Sequence, residues 1–249
     1  MTDAWLRQAG ARVRFGWGEA GLRALGPGCA AVVIVDVLSF STAVDVALGR
    51  GAVVLPYRWR DERAARFARE QGALLASHVR RFTDGLSLSP ASLAALPAGT
   101  RLVLPSPNGG TLSAAAQDVT GAQVFTACLR NAGAVAAHVA RLPGPLLVLA
   151  AGERWPDGML RPALEDEWGA GAVIAALPGP HSPEAEAAAH AYRHVQDRLP
   201  DALGRCTSGL ELAQRGFAAD LALAARPGVS RAVPRLDGPA YRDASTPGP

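Results

Sequence analysis

Three short runs of the chain are apolar at almost every position: Ala30–Val37, Leu102–Leu104 and Leu146–Ala150. The first reads AAVVIVDV, the composition of a strand buried on both faces of a parallel sheet. Weaker strand patterns fall at Arg12–Trp17, read as an edge strand, and at Gly51–Pro56, Ala73–Ala76 and Ala122–Thr126. Val229–Val233 reads as a last strand. Between them, helical spacing predicts Glu19–Leu25, Ala43–Leu48, Asp61–Gln71 with Asp61 as N-cap, and Asn131–Arg141. It also predicts Glu165–Leu177, an amphipathic Pro183–Leu199, and one or two helices over Ser208–Arg226. Ser77–Pro90 reads as an irregular loop and Ser245–Pro249 as a loose tail. Strands that alternate with helices imply an α/β protein, a three-layer α/β/α fold with a mostly parallel or mixed central sheet. One domain spanning 1–249 accounts for the pattern, and the best place for a subdomain seam is Pro178-Gly179-Pro180, near 178–182.

In such sheets ligands collect beyond the carboxyl ends of the strands. Three polar loops follow the three apolar runs there. After Leu104 comes Pro105-Ser106-Pro107-Asn108-Gly109-Gly110-Thr111, a tight turn into the small-residue helix that starts Leu112-Ser113-Ala114. The prolines end the strand, and the glycines allow a positive φ or a close approach. Thr111 is placed to cap the helix, whose first amides would face outward and receive a phosphate or carboxylate. An ordinary capped turn has the same sequence. The second loop starts at Asp36, a charge at the end of an apolar strand that either caps the next helix or binds a cation. The third holds Glu153, Asp157, Glu165, Asp166 and Glu167. Carboxylates that converge need a cation between them, and oxygen donors without a His/Cys set favour a hard ion such as Mg²⁺. The same three acids before Trp168 would also suit the positive end of a helix.

Composition narrows the classes. No apolar run approaches the ~20 residues of a membrane span, and the N-terminus lacks a signal pattern, so no membrane and a cytoplasmic location are expected. The net charge is only +3, with no basic run interleaved with aromatics, so no nucleic-acid partner is expected. All 25 basic residues apart from histidine are arginine. This excludes a P-loop lysine, a Schiff base and a Ser-Lys pair. The three cysteines, Cys29, Cys128 and Cys206, are far apart and odd in number, which argues against disulfides. Cys128 and Cys206 lack the Cys-x5-Arg loop of cysteine phosphatases and read as small buried hydrophobes. Of His78, His138, His181, His190 and His194, the last two share a helix face without a third ligand and read as a solvated face, and His138, in an alanine-rich helix, reads as structural. A homodimer is one expectation from the alanine-rich helix at Ala185–Ala191.

Taken in order, Val33-Ile34-Val35-Asp36-Val37-Leu38, Ser106-Pro107-Asn108-Gly109, Ala151-Gly152-Glu153 and Glu165-Asp166 with Gly169-Ala170-Gly171 resemble the 2-phosphosulfolactate phosphatase (ComB) family. Leu129-Arg130-Asn131, Ser208-Gly209-Leu210-Glu211-Leu212, Gly216-Phe217 and Asp220 are similar to further family positions. The resemblance runs from about Ala30 to Val233. It implies a Mg²⁺-dependent phosphomonoester hydrolase acting on a small phosphorylated acid, 2-phospho-3-sulfolactate. Two positions depart from the pattern: Ser39 stands where many members carry Arg, and Leu88 where many carry Asn. Arg58, Arg80, Arg81, Arg130 and Arg154 are the neighbouring arginines that could take over an anion contact.

Chemistry and resemblance together give an expected site. Asp36, Glu153, Glu165 and Asp166 hold Mg²⁺, and Asp36, Glu165, Asp166 and Ser106 are the catalytic group. Ser41, Thr42, Asn108, Gly109, Gly110, Thr111, Arg130, Asn131 and Arg154 bind the phosphate or the rest of the substrate. Direct attack by water and an aspartyl phosphate on Asp36 both remain open, although Leu38 stands where dehalogenase-type phosphatases have a second Asp. The rival readings are a phosphoester-binding protein without catalysis, a related hydrolase with another substrate, and an acyl-transfer hydrolase using Ser106, which needs a His base.

Overall fold

A computed structural model of the protein describes residues 4–58, 62–77 and 85–245. After a 3₁₀ turn at Ala4–Arg7 come β1 (Val13–Trp17), α1 (Gly18–Leu25), β2 (Ala31–Val35), α2 (Phe40–Gly49), β3 (Val53–Tyr57) and α3 (Glu62–Glu70). Next are β4 (Leu74–Leu75), α4 (Pro90–Leu93), β5 (Arg101–Pro105), α5 (Gly109–Thr120), β6 (Gln123–Ala127), α6 (Ala132–Val139) and β7 (Leu146–Ala150). A two-residue ribbon, β8 (Glu153–Arg154) with β9 (Leu160–Arg161), leads into α7 (Leu164–Ala175) and α8 (Pro183–Val195). The chain closes with α9 (Leu199–Arg205), α10 (Thr207–Gln214), α11 (Ala218–Ala224), β10 (Pro234–Asp237) and β11 (Ala240–Asp243).

Nine strands form one mixed sheet in the order β1-β7-β2-β6-β10-β11-β3-β5-β4. β1, β7, β2 and β6 are mutually parallel, as are β3, β5 and β4. The β10–β11 hairpin sits antiparallel between these two blocks, joined to each by a single bridge, Arg235 to Phe125 and Tyr241 to Val54. Three antiparallel steps reverse the second block, so in a flat sheet the ends of β2 and β5 would lie far apart. They meet because the sheet curls, as twisted sheets do. Its inner face wraps α2 and α5. One apolar cluster contains Val32 and Ile34 of β2, Leu102 and Leu104 of β5, Tyr241 of β11, and Phe40 and Leu112 from the two helices.

The alternate residues Ala31, Val33 and Val35 point to the other face, against α6, α7 and α8. All five side chains of β2 and of β7 are fully buried, and each aliphatic one contributes about 1.5–3 kcal/mol of burial. This is the expected α/β/α layering. The turn through residues 178–182 is hydrogen-bonded to β1, with Arg12 N donating to Pro180 O and Ser182 N to Val13 O, both at 2.9 Å. Among the described residues no helix is long and apolar enough to cross a membrane.

The sequence reading needs correcting in four places. Val229–Val233 is not a strand; the chain there is irregular, and the strands are the hairpin that follows, turning through Gly238-Pro239 with Gly238 at φ 55°. Pro183–Leu199 is not one helix, because a 3₁₀ turn at Gln196–Arg198 divides it. Part of the loop before residue 90 ends in α4, started by Pro90 at its first position. Thr111 does not cap α5, since the helix starts two residues earlier with Asn108 at the N-cap and no side-chain cap bond. The cap assigned to Asp61, His78, residues 78–84 of the 77–90 loop and residues 246–249 of the tail lie outside the described residues.

Candidate active site

The loop after β2 is held by its own hydroxyls. Asp36 N donates to Ser41 Oγ (2.8 Å), Ser41 Oγ lies 2.6 Å from Thr126 Oγ1, and Thr42 Oγ1 donates to Val37 O (2.7 Å). Ser41 and Thr42 are fully buried. Both expected phosphate contacts therefore face the backbone and not the cleft. The Asp36 carboxylate accepts from Phe40 N through Oδ1 (3.2 Å) and from Gly109 N through Oδ2 (2.9 Å). This second bond ties the β2 loop to the start of α5 across 73 residues of chain. It needs a glycine. A Cβ at position 109 would lie 2.9 Å from Asp36 Oδ2 and collide with the Phe40 ring, and one at Gly110 would lie 2.6 Å from Tyr57 O. Close approach, not a positive φ, is what these two glycines supply.

The acidic loop arrives from the other side. Asn108 Nδ2 donates to Glu153 Oε2 at 2.9 Å. Asp166, in the first turn of α7, accepts from Val37 N (2.7 Å) and Gly152 N (2.8 Å), one amide on each oxygen. It is the brace that holds the β2 and β7 loops together. Glu165 is buried beside it and accepts from the Cys206 thiol at 3.4 Å. Burial, then the charge of Asp36, pushes Glu153 up to about 7. Burial, then Asp36 and Glu165, pushes Asp166 well above the carboxylate range. The Cys206 thiol is raised to about 12, by burial first and Glu165 second. Cys128, in contrast, is fully buried away from these acids and raised to about 12 mainly by burial.

These loops line a cleft of about 700 Å³. Asp36, Ser39, Ser106, Asn108 and Glu153 form one wall, with Leu38 and Leu88 beside them. The opposite wall comes from α10 and the turn after it: Ser208, Glu211, Leu212, Arg215 and Phe217. Beyond the Asn108–Glu153 hydrogen bond lies a smaller cavity reached by Thr111 and Arg154. Arg154 is exposed and donates to Gly158 O at 2.9 Å. Two expected binders are elsewhere. Arg130 pairs with buried Asp45 at 2.7 Å and lines a different cavity, and Asn131 is fully buried, bonded to Cys128 N and Ala232 O. Of the other arginines, Arg58 lies 3.9 Å from Asp118, and Arg80 and Arg81 fall outside the described residues.

Two polar residues absent from the expected set, Ser208 and Arg215, belong to this cleft, and a third, Arg161, adjoins it through Ser208. Arg161 donates to Ser208 Oγ (3.3 Å), stacks over Trp155, and tempers the rise at Glu153. Ser208 and Arg215 line it directly. Their only sequence signal was the Ser-Gly-Leu-Glu-Leu motif, which carries no chemistry of its own. Asp220 of the same region instead braces α4, accepting from Ser89 Oγ (2.6 Å) and Ala91 N (3.1 Å).

A family model described as 2-phosphosulpholactate phosphatase matches residues 25–239 of the 249. The chain belongs to this family. It is accordingly a hydrolase acting on phosphoric monoesters, and the matched span contains the whole cleft. A search of curated proteins gives no significant match. For a phosphatase of this family the described histidines are spectators: none of His138, His181, His190 and His194 lines the cleft, so Ser106 has no imidazole base among them.

The cofactor question turns on the donor set. Asp36, Glu153 and Glu165 offer buried carboxylate oxygens whose charges raise one another's neighbours, the chemistry that a hard divalent cation relieves. As they stand, no group of three or more His, Cys, Asp or Glu side chains among the described residues is gathered closely enough to hold a metal ion. Asp36 and Asp166 each have both oxygens on amides, but only Asp36 lines the cleft, so Asp166 is the least suited of the four to be a ligand.

Proposed function

We propose that the protein hydrolyses a small phosphorylated hydroxy acid of the 2-phosphosulfolactate kind to the hydroxy acid and inorganic phosphate, using Mg²⁺. The observation that carries this reading is the pair Asp36 and Glu153 lining the cleft beside the start of α5, with buried Glu165 and Asp166 near enough to act electrostatically on the same group. Asp36, Glu153 and Glu165 are the residues that would hold the ion, with Asp166 positioning their loops. When bound, Mg²⁺ supplies charge neutralisation for the phosphoryl oxygens.

The chain's own groups do the rest. The amides of Gly110 and Thr111 lie in the first turn of α5, where helical geometry leaves no acceptor within the helix, and they share its positive end with the Ser106 and Thr111 hydroxyls. Of these, the Ser106 hydroxyl lines the cleft and Thr111 lines the smaller cavity beyond the Asn108–Glu153 bond; the reading assigns to Ser106 and the positive helix end the orientation of a phosphoryl group and the stabilisation of its developing charge. The Gly109 amide is engaged by Asp36, so it positions that carboxylate and does not contact substrate. Without a cation Glu153 keeps its proton to about pH 7, so cation binding releases a proton and strengthens as pH rises. Leu38, Leu88, Leu212 and Phe217 give the cleft apolar walls that exclude water around a short carbon skeleton. The three cysteines are free and buried, which supports placement in a reducing compartment, the cytoplasm.

The test is phosphate release from a panel of phosphosulfolactate, phospholactate and phosphate esters of neutral alcohols. Preference for the phosphorylated acids supports the reading, and release from none of them with Mg²⁺ present refutes it.

A further inference from the structure

A substrate of the proposed kind carries further anions besides its phosphate, a carboxylate in phospholactate and a carboxylate and a sulfonate in 2-phosphosulfolactate, and among the described residues the phosphate-side wall has no cation to receive one. Asp36 and Glu153 make that wall electronegative, and Ser39, Ser106 and Asn108 are neutral. Across the cleft, α10 presents Ser208, Glu211 and Leu212, and the residue capping its C-terminus is Arg215. Among the described residues, Arg215 is the one cationic side chain that lines this cleft. Arg161 is turned away to Ser208 and Trp155, Arg130 is bound to Asp45 on another cavity, and Arg154 faces the smaller one.

We infer that Arg215 is the specificity residue of the cleft, which takes the carboxylate or sulfonate of a substrate whose phosphate lies against Asp36 and the start of α5. The inference rests on the phosphatase reading for the placement of the phosphate. The state of Arg215 suits the role. Its partner is Glu211 one helical turn earlier, at 2.7 Å, and the side chains are 67% and 48% exposed. An exposed pair of this spacing is weak and readily exchanged for another anion. The planar guanidinium then meets a carboxylate or sulfonate through two parallel N–H donors. Leu212 and Phe217, on the same wall, lie along the carbon skeleton between the two charges. Glu211 competes with the substrate for the guanidinium, so only an anion able to displace it gains this contact.

Two measurements test this. In turnover, Arg215→Gln is expected to lower kcat/KM for phosphosulfolactate and phospholactate about tenfold or more, mainly through KM, as loss of a charge-assisted contact does. For glycerol phosphate the change is expected to stay within about twofold, so the ratio between acid and neutral esters collapses. Glu211→Gln is expected to lower KM for the acids. Equal losses on all esters, or none on any, overturn the assignment. In binding, calorimetry with 3-sulfolactate reads the same contact without chemistry: Arg215→Gln weakens it about tenfold, and unchanged affinity overturns the inference. Wild type that binds 3-sulfolactate through Arg215 but releases no phosphate would leave Arg215 standing and refute the hydrolase reading instead. Arg215 is on the surface of α10, so these variants keep the fold, and Arg215→Lys, with charge but no fork, is expected to fall between.

Discussion

Replacing Glu153 with glutamine is expected to make the metal-free protein more stable at pH 8 and to inactivate it. Glu153 is held between burial and the charges of Asp36 and Glu165, and its carboxyl is raised from 4.5 to about 7. A carboxyl raised in the folded state favours folding fully below its unfolded value, and that contribution is lost as pH rises through the folded value. Wild type should therefore lose stability between about pH 4.5 and 7 and then level off. The interval between those two values corresponds to about 3 kcal/mol at pH 8 and less than about 1 kcal/mol at pH 5. Glutamine keeps an oxygen to accept the 2.9 Å bond from Asn108 and carries no charge. Urea unfolding in EDTA at the two pH values gives the comparison directly. The variant should gain about 2–3 kcal/mol at pH 8 and little at pH 5. No gain at pH 8, or the same gain at both, would refute the picture of a strained acidic cluster. Adding Mg²⁺ should close the gap from the wild-type side, by about 2.7 kcal/mol at a hundredfold excess over Kd.

The other expected outcomes concern residues whose roles the structure changed. Asp166→Asn should cost about 10- to 100-fold in activity or Mg²⁺ affinity, because it loosens the Val37 and Gly152 loops without removing a group from the cleft; a steady-state assay against Mg²⁺ concentration reads this. Gly109→Ala should destabilise by about 1–3 kcal/mol in thermal unfolding, since the new methyl group meets Phe40 and Asp36. Arg130→Ala should cost about 3–5 kcal/mol by stranding buried Asp45, while KM of the folded fraction stays at the wild-type value. A raised KM there would return Arg130 to the substrate site.

What was legible in the sequence is what short-range physics decides. β2, β5 and β7 are apolar on both faces and were readable at once, as was the gathering of acids after β7. The hairpin was not, although its loop, Gly238-Pro239, is built of turn-forming residues. Its strands alternate with charges, Pro234-Arg235-Leu236-Asp237, and look exposed until the sheet curls over them. The same long-range curl decided the site. The glycines pointed to either a positive φ or a close approach at Gly109, and not to its amide meeting Asp36. Ser41 and Thr42 looked like ligands because hydroxyls after a strand often are; here they hold their own loop. Arg161, Ser208 and Arg215 arrive from the ribbon and from α10 with its C-cap, far along the chain; Ser208 was marked only by resemblance, and no local pattern marks the two arginines.

The measurement that tests the central claim most directly is phosphate release from 2-phosphosulfolactate by wild type and Asp36→Asn, each with Mg²⁺, after EDTA, and after Mg²⁺ is restored. The account predicts turnover by wild type that EDTA abolishes and Mg²⁺ restores, with Asp36→Asn inactive throughout. Turnover that survives EDTA, or an Asp36→Asn variant as active as wild type, would contradict it.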